Sequence, residues 1–548
     1  MTLSAAMALA VSDDAVDSDE VKAIRANFAA FERQLDTAYD YYARGKLEAA
    51  AVSAAWAADI AIGSHSGLFM SPRLERLLID IGRRVKAGQP DKAYLRKKSF
   101  NKVLHVTTRL LPVGGHSLML RRWIESDPGR IHSIAVTQQR SKIRDDVIAA
   151  ATATGGKVYG HLNRRRGGLF AIVAQLRELA LEHDVVVLHT YGSDLAPSIA
   201  FADTAKFPPV VLLNHADHLF WAGSAISQVV GGMRNAAMHL AERRRRIAKE
   251  RSILVPILVG PAERALTRPA AKQALGLDPN QLLLVSVARP DKYRTFNGVT
   301  YADLHVPLLK KHPDALLYVI GVGEPSDWSK AIAETGGRIV PLPLQNPRPY
   351  MQAADIYLDS YPFCSATSMM EAAGYGTPCV TRYMLPEDAR ICGMDHPGLF
   401  GNLIEARGEQ EYLESTSKLI SDREFRERKG REMLEGIEGA NVPRAWCKYM
   451  ESAFARAAEL DPVDNLNLFP EGEPDRPSFG DPDIRIDQRY GYTPPAFHLA
   501  KEHLSSFPFP QRIAHWREVM RGKGFSTSKE AVRCLLPEWI VRTLKDSP

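Results

Sequence analysis

Two consecutive series of short apolar runs, separated by stretches of helical period, constrain this chain more than any other feature. The first comprises Val103–Val106, Ile134–Val136, Val185–Leu188, Val210–Leu213 and Ile253–Leu258. The second begins after Pro261–Arg268 and comprises Leu282–Val287, Ala315–Ile320, Ile339–Leu342, Ile356–Leu358 and Cys379–Thr381. Strand–helix alternation of this kind predicts a parallel sheet covered by helices on both faces. Two such doubly wound units, each of roughly 160 residues, create a ligand cleft where their strand C-termini face each other.

Both flanks of this α/β core read as helical. Val21, Ile24, Phe28, Phe31, Leu35 and Ala38 alternate spacings of three and four, and Gly45 ends the pattern before an Ala-rich second helix reaches Ile62. Ser71-Pro72 is a helix start, with Leu74, Leu77, Leu78 and Ile81 as its buried stripe. This material suits docking or oligomerisation, and no 34-residue repeat runs through it. Residues 461–487 carry eight acids and five prolines among them, the composition of an extended linker or surface strap. A helical tail follows, with Ile513, Trp516 and Met520 as its stripe and Thr527 with Glu530 as a capping box. The expected organisation is a helical domain over 1–98, a first lobe over 99–265, a second over 266–460, and a linker with helical tail over 461–548.

Composition narrows the classes without choosing among them. At 548 residues, with 45% hydrophobic and 24% charged residues, the chain can bury a large core. A formal charge of +6 gives no reason to expect a nucleic-acid partner. Five scattered cysteines build neither a disulfide framework nor a zinc site and suit a reducing cytosol. The apolar start MTLSAAMALAV lacks the basic flank of a signal peptide, and no stretch approaches the ~20 apolar residues of a membrane span. The expectation is a soluble, cytoplasmic protein.

The chemistry concentrates at strand exits. In Asp355–Arg382 a strand ends at Asp359, Ser365 sits in the following loop, and a helix starts near Thr367. Unpaired N–H groups and the positive dipole end at a helix start suit a phosphate, and Ser365, Thr367 and Ser368 add hydroxyl donors. Glu371 shares the face of Thr367 and Ser368 and can accept from ribose hydroxyls. The bland alternative is that these residues only cap the helix and pair on the surface. Upstream, the strand Leu282–Val287 delivers Arg289, Lys292 and Arg294 at its exit, and with the helix start they form a two-sided diphosphate clamp. In the first lobe, the loop containing Gly114, Gly115, His116 and Ser117 lets backbone approach a ligand closely, although a glycine pair also serves as a plain turn.

The order of elements resembles the two-lobed GT-B fold of nucleotide-sugar glycosyltransferases. The Gly-Gly-His-Ser loop is similar to the first loop of the retaining "glycosyl transferases group 1" family. Arg289 and Lys292 match that family's donor-diphosphate contacts, and Glu371 in MEAAGYGTPCV falls on the second glutamate of its paired-glutamate motif. The first glutamate of that motif is replaced by Phe363. The segment LDSYPFCSATSMMEAAGYGTPCVT is closer to protein O-GlcNAc transferase and its bacterial relatives, inverting enzymes that also carry helical repeats ahead of the lobes. The resemblance spans about residues 100–460, its specific part being Cys364–Thr381. It implies a hexosyl- or N-acetylhexosaminyl-transferase that takes the sugar from a nucleotide-diphosphate donor. It implies no cofactor, and an acceptor hydroxyl on a polysaccharide, glycolipid or protein. That no metal is needed is expected from the absence of an Asp-x-Asp motif beside these sites and from the Arg289, Lys292 and Arg294 cluster, which can neutralise a leaving diphosphate.

His215, Asp217 and His218 follow the strand Val210–Leu213 and are assigned to the transferred sugar or to general-base work, or else to capping a helix around Leu219–Ala225. A metal is not expected at so loose a motif. The basic run Glu242–Arg251 reads as an exposed helix face, with an anionic membrane or lipid-pyrophosphate contact as the other reading. Two further function classes stand beside transfer: a GT-B-like epimerase or phosphorylase, and a non-catalytic helical scaffold.

Overall fold

The computed structural model describes residues 18–111, 115–296, 298–323, 325–383, 394–495 except 491–494, and 497–544. The apolar start MTLSAAMALAV and Gly114 lie outside these residues. Among the described residues two parallel sheets form. The first has seven strands: β1 (Lys102–Thr107), β2 (Ile131–Val136), β3 (Val158–Tyr159), β4 (Val185–His189), β5 (Val210–Asn214), β6 (Val229–Gly232) and β7 (Ser252–Leu254), in the order β3-β2-β1-β4-β5-β6-β7. The second has six: β8 (Leu282–Val287), β9 (Ala315–Ile320), β10 (Ile339–Leu342), β11 (Ile356–Leu358), β12 (Cys379–Arg382) and β13 (Ile404–Ala406), in the order β10-β9-β8-β11-β12-β13. In each sheet the order reverses beside its first strand, which opens a crevice at the strand C-termini. Every strand read from the apolar runs is present. The three that were not read lack the signal: β3 has two residues, β6 is Val-Val-Gly-Gly, and β13 is Ile-Glu-Ala.

The N-terminal helices are α1 (Asp19–Ala43), α2 (Leu47–Gly63) and α3 (Pro72–Arg84). Ser71 caps α3 by accepting from the Leu74 N–H, and Leu74, Leu77, Leu78 and Ile81 are buried. Their apolar faces are spent inside the chain: Phe31, Leu35 and the Ala-rich face of α2 share one core with Leu104, Val186, Leu188 and Leu212 of the first sheet. Two buried charges weld the junction. Glu75 of α3 accepts N–H groups from Gly223 (2.7 Å), Ser224 (3.0 Å) and Ala225 (3.2 Å). Arg177 donates to the carbonyls of Gly82 (2.7 Å), Val85 (2.6 Å) and Ala87 (3.0 Å) at the end of α3. Gly82 is required there, since a Cβ would meet Ala202 Cβ and the Ile199 carbonyl at 2.4 Å. The expected helix over Leu219–Ala225 does not form, because Glu75 holds those N–H groups in an open loop.

The helix Pro443–Glu459 follows the second lobe in sequence but packs under the first sheet. Trp446, Met450, Ala453 and Phe454 share a core with Val103, Val185, Val187 and Val211, and Trp446 Nε1 donates to the Pro256 carbonyl at 2.7 Å. A stripe of this apolar size, at about 1.5–3 kcal/mol per large side chain, outweighs sequence proximity to the second lobe.

Residues 461–487 run back over the N-terminal helices and meet the basic run. Arg244 donates to Asp483 (2.9 Å), Arg246 pairs with Glu473, and Arg245 is fully buried between the Phe69 and Trp221 rings. Arg251 donates to the Ser224 and Ser227 carbonyls. The exposed-face reading of Glu242–Arg251 is therefore corrected: an acidic strap and a basic run that look like two solvated segments neutralise each other. Burial raises the Asp475 carboxyl to about 6, despite the Ser71 hydroxyl donating to it at 2.7 Å. In the tail, Trp516 packs against the core that holds Val519, Ile513 is half-buried, and Met520, expected in the stripe, is exposed. Among the described residues no helix is long and apolar enough to cross a membrane.

Candidate functional site

The crevice is walled by the ends of both sheets. On the second lobe, β8 ends at Val287 and the chain turns through Pro290–Tyr293, so Arg289, Lys292 and Arg294 cluster at the strand exit. Lys292 Nζ donates to the Cys364 carbonyl at 2.8 Å, and the Arg294 guanidinium lies over the Phe363 ring, 4.6 Å from its centroid. The basic loop and the loop after β11 are thus one unit. Phe363, where the family motif has a carboxylate, serves as a platform for a cation.

The loop after β11 is shaped by a buried acid. Asp359 accepts from the Ser360 N–H (2.9 Å), the Ser365 N–H (2.8 Å) and the Thr381 hydroxyl (2.8 Å). Burial raises its carboxyl to about 6, against these hydrogen bonds and the field of Lys292. The helix Ala366–Gly374 starts from Ser365, whose side chain makes no capping bond to its backbone and donates instead to Ser368 Oγ at 3.1 Å. First-turn N–H groups have no intrahelical partner, so this start keeps the donors an anion needs.

On the first lobe, α4 (Gly115–Ser126) lies across the cleft from that helix. The nearest heavy atom to a Cβ on Gly115 would be Thr367 Oγ1, 3.5 Å away, so a larger residue there intrudes on the helix start. Two turns along, Arg122 Nη2 donates to Glu371 Oε1 at 2.7 Å, an ion pair between lobes. Gly115 thus faces Thr367, Arg122 meets Glu371, and Arg122 is the partner that sequence reading missed.

His116 and His215 meet at the cleft with ring centroids 4.1 Å apart, and Tyr191 lies against His116. Burial lowers His116 to about 4, with Arg289 of the other lobe adding to the shift. Arg289 also acts on Tyr191, whose phenol is raised by burial. Both lobes therefore share one electrostatic environment, and a neutral imidazole pair faces a cation.

Asp217 does not fit the base expected of it. Its carboxylate is buried and receives Arg234 through two bonds, Nε to Oδ2 at 2.7 Å and Nη2 to Oδ1 at 2.5 Å. Burial alone raises such a group, but the Arg234 charge overrides it and holds the carboxyl far below its usual range. A carboxylate that keeps its charge so firmly takes no proton at neutral pH. His218 sits beside it, Nδ1 to Oδ1 at 3.4 Å, with burial lowering its pKa. Of the three residues expected after β5, His215 alone has a ring contact to the Gly115-His116 turn.

Two lobes of parallel, doubly wound sheet facing across a cleft, with the last long helix crossing back under the first, define the GT-B fold. No protein-family model matches the chain and no curated protein matches it. Among solved structures, a glycosyltransferase from Rickettsia africae ESF-5 superposes with a TM-score of 0.51 at 9% identity, over 66% of this chain and 100% of that one. HepE from Anabaena, in complex with UDP-glucose, gives 0.48 at 15% identity over 65% and 99%. A mutant O-GlcNAc transferase from Thermobaculum terrenum gives 0.46 at 16% identity over 81% and 83%.

Proposed function

We propose that the chain is a nucleotide-sugar-dependent glycosyltransferase that uses no metal ion. The observation that carries this reading is the pairing of a cationic strand exit, Arg289, Lys292 and Arg294, with an anion-ready helix start at Ser365–Ser368, in one crevice of a GT-B fold. The cations neutralise the departing diphosphate, the helix start binds it, and Glu371 takes the ribose. His215 replaces Asp217 as the base for the acceptor hydroxyl, because it is neutral and stands at the cleft. With Phe363 in place of a carboxylate beside the transferred sugar, a single in-line displacement with inversion is favoured. The acceptor is a carbohydrate, lipid-linked or protein hydroxyl.

The test is calorimetry with UDP, GDP and dTDP, followed by turnover of the corresponding sugar panel with excess EDTA. Diphosphate binding and EDTA-resistant sugar release are expected. A nucleotide that gives no heat leaves the scaffold reading, and a complete, metal-reversible loss with EDTA removes the metal-independent one. Proton NMR of the product linkage decides the stereochemistry.

A further inference from the structure

Three strands of the first sheet each carry one histidine, His105 in β1, His132 in β2 and His189 in β4, a fourth, His215, directly follows β5, and the fold threads them into a line. His132 Nε2 faces two oxygens of Asp127, the carbonyl at 3.1 Å and Oδ2 at 3.2 Å. His132 Nδ1 lies 2.9 Å from His105 Nε2, His105 Nδ1 lies 3.0 Å from His189 Nε2, and His189 Nδ1 lies 3.1 Å from His215 Nε2. His105, His132 and His189 are fully buried, and His215 is partly exposed at the cleft. The line runs beneath α4, a helix about 18 Å long. Trp123 of α4 covers it edge-on, 5.5 Å from His105 and 5.7 Å from His189, and is itself backed by Trp446 of the crossing helix.

The geometry fixes the protons. Oxygens only accept, so His132 carries its proton on Nε2 and, when neutral, leaves Nδ1 as an acceptor. His105 must then donate through Nε2, His189 likewise, and His215 likewise, which leaves the lone pair of His215 on Nδ1. Each contact joins one nitrogen to one nitrogen, so no three lone pairs converge on a point as a zinc ion would require. Burial lowers His105, His189 and His215, so these three rings rest neutral. At the far end Asp127 is held below its usual range, its burial outweighed by His132 and Arg130. Among the described residues the charged and titratable neighbours are His116, Arg289 and Tyr191 at the cleft end, His183 beside His105, and Arg130, Glu451 and Cys447 at the Asp127 end.

We propose that this line is a proton relay that lets His215 act as base in the cleft while the positive charge comes to rest on His132 beside Asp127. The proposal rests on the glycosyl-transfer reading. The acceptor O–H bond breaks and its proton bonds to His215 Nδ1, while the oxygen electron pair attacks the anomeric carbon. The bond from that carbon to the diphosphate breaks and its electron pair leaves with the diphosphate. The Nε2 proton of His215 passes to His189 Nδ1, that of His189 to His105 Nδ1, and that of His105 to His132 Nδ1. His132 becomes imidazolium and keeps its Nε2 bond to Asp127. At product release the shifts reverse and the proton leaves through His215 to water. The design removes a cation from a cleft that already holds Arg289, where an imidazolium is disfavoured. His189, His105, His132 and Asp127 are positioning residues in this scheme.

The test uses the full chain labelled with 15N-histidine. Expected are Nε2–H tautomers for the four rings and 15N–15N couplings across the three ring-to-ring bonds; uncoupled rings or an Nδ1–H tautomer at His105 or His189 overturns the relay. Asp127→Asn removes the anion while Arg130 keeps Glu451 at 2.8 Å. With the donor the sugar panel selects, and water as acceptor, kcat is expected to fall about 10²–10⁴-fold with the donor KM unchanged, and Asp127→Glu to recover most of it. A folded Asp127→Asn protein with wild-type kcat overturns the proposal. Should that variant not fold, His105→Gln interrupts the line midway and is read in the same way. If wild type cleaves no donor at all, the transfer reading fails, and the ring couplings still decide whether the line exists.

Discussion

The pair Asp217–Arg234 offers a clean separation of a structural role from a catalytic one. Both side chains are nearly inaccessible, at 8% and 7%, and the two bonds are 2.5 and 2.7 Å long. At that separation and an effective dielectric near 20 the attraction is on the order of 6 kcal/mol, and losing one partner strands the other charge, costing about 3–5 kcal/mol. Asp217→Asn should lower the melting temperature by roughly 6–20 °C at ~2–4 °C per kcal/mol, and Arg234→Met should do the same. The double variant replaces the ion pair by groups that need no counter-charge and should recover most of the loss. Scanning calorimetry reads stability, and sugar release from the donor, corrected for folded protein, reads turnover. The expectation is a double variant within a few-fold of wild type. A stable double variant with turnover down 10²-fold or more would refute this argument and return Asp217 to catalysis.

Arg289→Ala or Lys292→Ala should weaken nucleoside-diphosphate binding by about 1–3 kcal/mol and leave the nucleoside unaffected; calorimetry with both ligands checks this, and unchanged diphosphate affinity in the two variants removes the clamp. Glu371→Gln should bind a nucleotide and its 2′,3′-dideoxy analogue almost alike where wild type discriminates, and equal discrimination in both proteins takes Glu371 off the ribose. The third expectation concerns acid. His189 and His396 are lowered to about 3 and His305 to about 4, chiefly by burial, so below pH 6.5 the unfolded chain binds protons first. Stability is full above that value and falls by about 2 kcal/mol apiece by pH 5. Asp359 and Asp475, raised to about 6, oppose this by regaining stability as pH drops through 6, but return only about half as much. Urea midpoints at pH 7 and 5 should fall on acidification; a rise would mean that the imidazoles are not buried neutral.

Much of this was legible in the chain because strands here are nearly continuous apolar runs and their exits carry the charge. Leu282–Val287 gives both β8 and the position of Arg289 and Lys292. What sequence reading missed depends on groups far apart in the chain. Arg122 finds Glu371 across 249 residues, and Glu75 reaches Ser224 across 149. A polar signal for the histidine line was present, since KVLHVT, IHSIAV, VVVLH and LLNH each set one imidazole in an apolar strand or at its end. Reading it requires the strand order β2-β1-β4-β5, which places those four rings side by side and which no local pattern supplies. The assignment of a base to Asp217 or His218 was made without sight of Arg234, which arrives from beyond β6 to pair with Asp217.

The mutual neutralisation of the basic run and the acidic strap bears on how the chain matures. Arg244 waits for Asp483, 239 residues downstream, and at ~5–20 residues per second that interval is about 10–50 s on the ribosome. Trp446 and Phe454 must also arrive before the underside of the first sheet is covered. The first lobe is therefore synthesised early and completed late, with exposed strands and unpaired arginines in the meantime. A chain cut after the second lobe would leave that debt unsettled, and a chaperone that shields the first sheet until the strap emerges would act at the step where this architecture is weakest.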